Sequence, residues 1–158
     1  MSHNEIVQRI ASSISAIEND VLSVISNNMD LMQTVNNKMK TLLGGEYIDY
    51  VESFSAMDTY EREAFDSKDY WQYTEKEQRL ANLEKAEAYL LLSQLAITLK
   101  QMTRGDVISS REQFGVGALS PSSIDQIIQL QGNYYEQAVN IIYDKPEQSG
   151  HQGDVFVI

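Results

Sequence analysis

Between Val7 and Leu42 apolar residues return in alternating steps of three and four: Val7, Ile10, Ile14, Ile17, Val21 and Val24, then Leu31, Val35 and Leu42. Such a rhythm keeps one face of an α-helix apolar, whereas a strand would alternate every second residue. Set out as heptads, one core position holds Val7, Ile14, Val21, Asn28, Val35 and Leu42, and the other holds Ile10, Ile17, Val24, Leu31 and Lys38. Nine of these eleven slots are apolar, and no Pro or Gly intervenes before the pair Gly44 and Gly45, which suits a left-handed C-cap. The pattern predicts one long, coiled-coil-like N-terminal helix over 4–43.

β-Branched residues at the first core position with one central Asn resemble the arrangement that favours two-stranded coiled coils, in which a buried Asn sets register. On that reading Ile14, Ile17, Val21, Val24, Asn28, Leu31 and Val35 form a self-association seam. The flanking slots carry Ile25, Met32 and Met39 on one side and Ser13, Asn27, Thr34 and Thr41 on the other, which widens the apolar stripe without supplying pairing charges. A wide stripe is what a helix packed among several others shows, so a multi-helix bundle is expected over an isolated zipper, and an intermolecular bundle satisfies both patterns.

Three further helices are expected. Tyr47, Tyr50, Val51, Phe54, Met57 and Phe65 recur at helical spacing among acids, giving an amphipathic helix over 46–65. A second long helix spans 69–104, with Asp66, Ser67 or Asp69 available to cap its start, Glu75 and Arg79 at ion-pair spacing, and Gly105 at its end. Leu83, Ala86, Leu90, Leu91, Leu95, Leu99 and Met102 cover more than one face of it, marking it as the most enclosed element. After a loop at "FGVGALSPSS", Ser120 and Pro121 open a last helix over 121–144, which Pro146 stops. The expected fold class is all-α, about four helices in an elongated bundle, with a single helical domain over 1–144 and a linker and extended apolar tail over 145–158. At 158 residues, 42% of them apolar, one core is what the chain can build.

Several chemistries lack their residues. There is no cysteine, so disulfides, thiolate catalysis and cysteine-bound metals are excluded. The two histidines, His3 and His151, fall near the ends, where neither is expected to serve as a buried base or metal ligand. The pairs Glu61 with Glu63 and Glu84 with Glu87 lack the Glu-x-x-His partner of a di-iron helix and read as solvated faces. "DSKDYWQYTEKE" carries Trp71 where a calcium loop needs Gly. "FGVGALS" lacks the lysine of a phosphate loop, and Arg104, Gly105 and Asp106 make only a three-residue adhesion match. No cofactor and no enzymatic activity are expected.

Net charge is −11, and it is uneven: from Glu46 to Asp69 eight acids, Asp49, Glu52 and Glu61 among them, face only Arg62 and Lys68. Such a field disfavours nucleic acid and anionic lipid, whose binding needs cations. The longest nearly apolar run, Ala88 to Leu99, is too short to span a bilayer, and the N-terminus has no secretory pattern. A cytoplasmic protein, or one exported without a signal peptide, is expected.

Two features point to partners. Tyr70, Trp71 and Tyr73 cluster beside the acidic segment; Trp71 and Tyr73 are expected to close one end of the core, and an exposed Trp71 would instead mark a partner site. After a polar lead, "DVFVI" ends in Val155, Phe156, Val157 and Ile158. This tail can fold back as an extended plug, add to a neighbouring subunit, or serve as a ligand for a domain that reads C-terminal residues. In its acidic, Cys-free, Ser-, Asn- and Gln-rich character the chain looks like subunits and chaperones of bacterial secretion machines and like phage structural proteins. The leading expectation is a non-catalytic homo-oligomeric assembly protein joined through its first helix and latched by its tail. The alternative is an acidic binding regulator acting through residues 46–69.

Overall fold

The computed structural model describes residues 2–15, 17, 22, 30–101, 125 and 128–144. Among them the protein is all-helical, with six α-helices and one 3-10 turn: α1 (His3–Ser15), α2 (Leu31–Leu43), α3 (Glu46–Ser55), α4 (Thr59–Ser67), the turn Tyr70–Gln72, α5 (Glu75–Gln101) and α6 (Gln131–Tyr143).

The first expectation is corrected at once. No single helix runs over 4–43: α1 ends at Ser15, Ile17 lies outside any helix, and α2 starts afresh after Asp30. Asp30 has φ 60°, in the left-handed region, which a continuous right-handed helix excludes. Aspartate is among the few non-glycine residues that visit this region cheaply, and the Asp30 carbonyl still receives the Thr34 amide at 3.3 Å, so α2 begins there. α2 ends at the glycine pair, though not in the left-handed helical geometry expected: Gly44, at φ +59° and ψ −127°, a conformation open mainly to glycine, returns its amide to the Lys40 carbonyl at 3.0 Å.

The expected helix over 46–65 is two helices. Asp58 adopts an extended conformation and forms a capping box with Glu61: the Glu61 amide donates to Asp58 Oδ1 at 2.8 Å and the Asp58 amide to Glu61 Oε1 at 3.2 Å. A second box, Thr74 with Glu77, starts α5 six residues later than expected, at 3.2 Å and 3.0 Å. These hydrogen bonds and the Lys68 ammonium hold the Glu77 carboxyl below its ordinary range.

Helix α5 is the axis. Leu80, Leu83, Ala86, Ala88, Leu90, Leu91, Leu92, Leu95, Ala96 and Leu99 are all buried, and the consecutive run Leu90–Leu92 covers every side of one turn. A helix apolar all round must be enclosed. α6 packs most extensively on it, through Tyr134, Ala138 and Ile142 at successive turns, and α1 and α2 pack on it next. α1 contributes Val7 and Ala11, one turn apart, and α2 contributes Leu31, Val35 and Met39. Arg79 ties three elements where α5 begins. Its guanidinium donates to the Glu46 carboxylate at 2.7 and 2.9 Å and to the Ile141 and Ile142 carbonyls at 3.1 and 2.7 Å. The anticipated Glu75–Arg79 pair gives way to this geometry, because Arg79 satisfies the end carbonyls of α6 as well as a carboxylate.

Candidate functional site

Side chains expected to be solvated or near a chain end form a buried polar cluster. Glu84 and Glu87 stand one turn apart on α5 and are 2% and 1% exposed, so they are not a solvated face. Their partners come from three other helices. His3, the first residue of α1, places Nδ1 2.8 Å from Glu84 Oε2 and Nε2 3.1 Å from Glu87 Oε1. Tyr50 of α3 donates its hydroxyl to Glu87 Oε1 at 2.5 Å. Arg62 of α4 donates Nη2 to both oxygens of Glu84 at 2.7 Å and Nε to Asp66 at 3.3 Å.

Charge balances within this cluster. Nε2 is hydrogen-bonded to Glu87 and Nδ1 stands at ion-pair distance from Glu84, an arrangement of two carboxylates about one ring that favours the imidazolium. Burial alone would lower the His3 pKa, but hydrogen bonds to Glu84 and Glu87 and their two charges outweigh it and raise it from 6.5 to about 9. Two cations thus face two buried carboxylates. Tyr50 is held as the neutral phenol, its pKa well above 10, first by burial and then by the carboxylates beside it. Aromatic rings close the surroundings: the Arg62 guanidinium lies 4.3 Å from the Phe54 centroid and 5.4 Å from that of Phe65, and His3 meets Phe54 at 5.2 Å. A cleft of about 100 Å³ lined by His3, Met57, Thr59 and Arg62 is the opening beside it. With both His3 nitrogens and the acidic oxygens facing them engaged internally, the cluster fastens α1, α3 and α4 to α5. Among the described residues no group of three or more His, Asp and Glu is arranged to hold a metal ion.

The proposed partner residues separate into covered and open ones. Tyr73 closes the core, stacked on Phe65 at 4.8 Å and donating its hydroxyl to the Phe65 carbonyl at 2.7 Å. Trp71 does not share that role, because it is 77% exposed. The Tyr70–Gln72 turn points the indole outward, and the turn is fixed on both sides. Asp69 donates its amide to Gln72 Oε1 at 2.7 Å, and the Tyr70 hydroxyl accepts from Asn82 Nδ2 at 3.0 Å. Tyr70 itself is 52% exposed. Asp49 and Glu52 of α3 are open to solvent, Asp49 standing 3.8 Å from Lys76, and the equally exposed Glu61 is engaged in its capping box. Ile48 and Val51, exposed by 61% and 40%, lie one turn apart on the same helix.

Of the seam residues, Ile17, Leu31 and Val35 are buried in the chain's own core and Ile14 packs partly against it. Val21, Val24 and Asn28 lie outside the described residues, as do Arg104 to Asp106 and the tail residues Val155, Phe156, Val157 and Ile158. No helix among the described residues is long and apolar enough to cross a membrane. Comparison with family models, with curated proteins and with solved structures yields no match to this chain.

Proposed function

We propose that this protein works without catalysis, by binding another protein chain through the face that carries Trp71 and the acids of α3 and α4. One observation carries the reading: the only tryptophan stands 77% exposed on a turn tied by hydrogen bonds of Asp69 to Gln72 and of Asn82 to Tyr70. Large aromatics dominate interface energetics, and an indole already open to solvent is available to a partner without rearrangement of the core. The sequence from Glu46 to Asp69, with eight acids against two bases and with Asp49 and Glu52 open to solvent, favours a basic partner surface and would act mainly on the rate and selectivity of encounter. This is the role of an acidic regulator, secretion chaperone or immunity-type protein.

The test is recovery of bound proteins by the full chain and by Trp71→Ala, at low and at high salt. The expected result is a bound protein that is retained by the full chain, lost with Trp71→Ala and weakened by salt. Identical recoveries by the two chains refute the proposal.

A second reading, a self-assembling subunit of a secretion-apparatus, filament or virion-type complex, draws support from Ile48 and Val51. Their paired exposure on α3 leaves an apolar strip that a second copy could cover. A light-scattering mass of one chain at high micromolar concentration, unchanged by Ile48→Asp, sinks that reading.

A further inference from the structure

One groove differs in chemistry from the rest of this acidic chain. It lies where α2, α5 and α6 meet, measures about 550 Å³, and falls in the size range of ligand sites. Leu42, Ile97 and the ring of Tyr135 supply apolar walls, and Asn37 and Gln131 add side-chain amides. Although the chain holds 23 acidic residues, none is among the described residues that line this groove. Lys38 lines it instead, and no carboxylate pairs with that ammonium among the described residues. Ser93 also lines it, 1% exposed, with an Oγ that finds no hydrogen-bond partner among the described residues. A buried hydroxyl without a partner is a cost that an occupant can relieve.

We propose that the groove is the seat of the chain's own segment Asp154–Ile158. The occupant must pair an acid with an apolar body and bring backbone groups that need partners. The segment offers these in order: Asp154 for Lys38, then Val155, Phe156, Val157 and Ile158 for the apolar walls. An extended backbone docked outside a sheet must satisfy its amides and carbonyls with side chains, and Asn37, Gln131 and Ser93 stand at the groove for that purpose. Reach is sufficient. Ten residues, 145–154, span up to roughly 33 Å when extended. Tyr135 lies nine residues back along α6 from Asp144, about 14 Å along the helix axis. A tether this short gives an effective concentration on the order of millimolar, so docking within one chain outcompetes exchange between chains at micromolar concentration. The inference stands apart from the Trp71 surface and makes no use of it.

Zero-length carbodiimide cross-linking of the full chain, prepared as an equal mixture of unlabelled and uniformly ¹⁵N-labelled protein, tests it. The expected product is a Lys38–Asp154 cross-linked peptide of unmixed isotopic composition. Phe156→Asp, which leaves both cross-linking groups in place, should lower its yield at least about tenfold, the factor carried by losing one buried aromatic side chain. Absence of the Lys38–Asp154 product while far-ultraviolet circular dichroism shows the chain folded and helical overturns the proposal. So does a yield indifferent to Phe156→Asp, which marks chance encounter, and so does an isotopically mixed product, which assigns the segment to a second copy.

Discussion

Removing the imidazole of His3 should destabilise the protein in a pH-dependent way. Raising a histidine pKa from 6.5 to about 9 corresponds to roughly 3 kcal/mol at 1.36 kcal/mol per pH unit. The His3 side chain is 31% exposed, so solvent trims this to about 2 kcal/mol. The folded state holds the proton more tightly than the unfolded one. The contribution is therefore fully present below pH 6.5, declines as pH rises, and is gone above about pH 9. His3→Gln retains a polar side chain but cannot carry the charge that two buried carboxylates require. Urea unfolding of both proteins at pH 6, 7.5 and 9.5, followed by far-ultraviolet circular dichroism, gives the comparison. His3→Gln should be about 2 kcal/mol less stable at pH 6, with the gap closing by pH 9.5, and other groups that titrate in this window cancel in the difference. A gap that stays constant with pH, or no gap at pH 6, refutes the charged clamp.

Other outcomes follow from the same structure. Glu84→Leu takes the bidentate partner from the Arg62 guanidinium, which keeps only Asp66, and should cost about 3–5 kcal/mol; adding Arg62→Met should restore part of it, the remainder being the Glu84 contact that His3 has lost, as chemical denaturation of the two variants would show. Arg79→Met removes the donor to the Ile142 carbonyl, one of two donors to the Ile141 carbonyl and a cation from Glu46; a loss of about 2–3 kcal/mol and faster amide exchange in the last turn of α6 are expected. Asp30→Gly should stabilise by up to about 1 kcal/mol because φ 60° suits glycine, while a continuous helix there would make the same change destabilising by about 1 kcal/mol, so the sign of the melting shift decides. Trp71→Ala should leave stability within about 0.5 kcal/mol, since the indole is open to solvent.

Helical class was legible because periodicity is local, and the all-round apolar character of the segment from Leu80 to Leu99 marked the enclosed helix correctly. The breaks were harder to read. Asp58-x-x-Glu61 and Thr74-x-x-Glu77 are capping boxes written in the sequence, yet an apolar rhythm that ran across Asp58 masked the first. Asp30 sits within an otherwise uninterrupted heptad, and only its tolerance of left-handed geometry hinted at a break. The cluster at Glu84 and Glu87 left a fainter trace. The two acids fall on the stripe of Leu80, Leu91 and Leu95, where a solvated carboxylate does not belong. Their partner His3 is 84 residues from Glu87, and no local pattern signals a contact across that separation.

The central position of α5 also orders events in time. α1, α2 and α6 pack on α5 far more than on one another. As the chain is synthesised, the apolar faces of α1 and α2 emerge first, and the α5 surface that they cover is complete only once the sequence through residue 101 has appeared. His3 can reach Glu84 and Glu87 only after that wait, so the clamp on the first helix is among the last contacts that synthesis makes available.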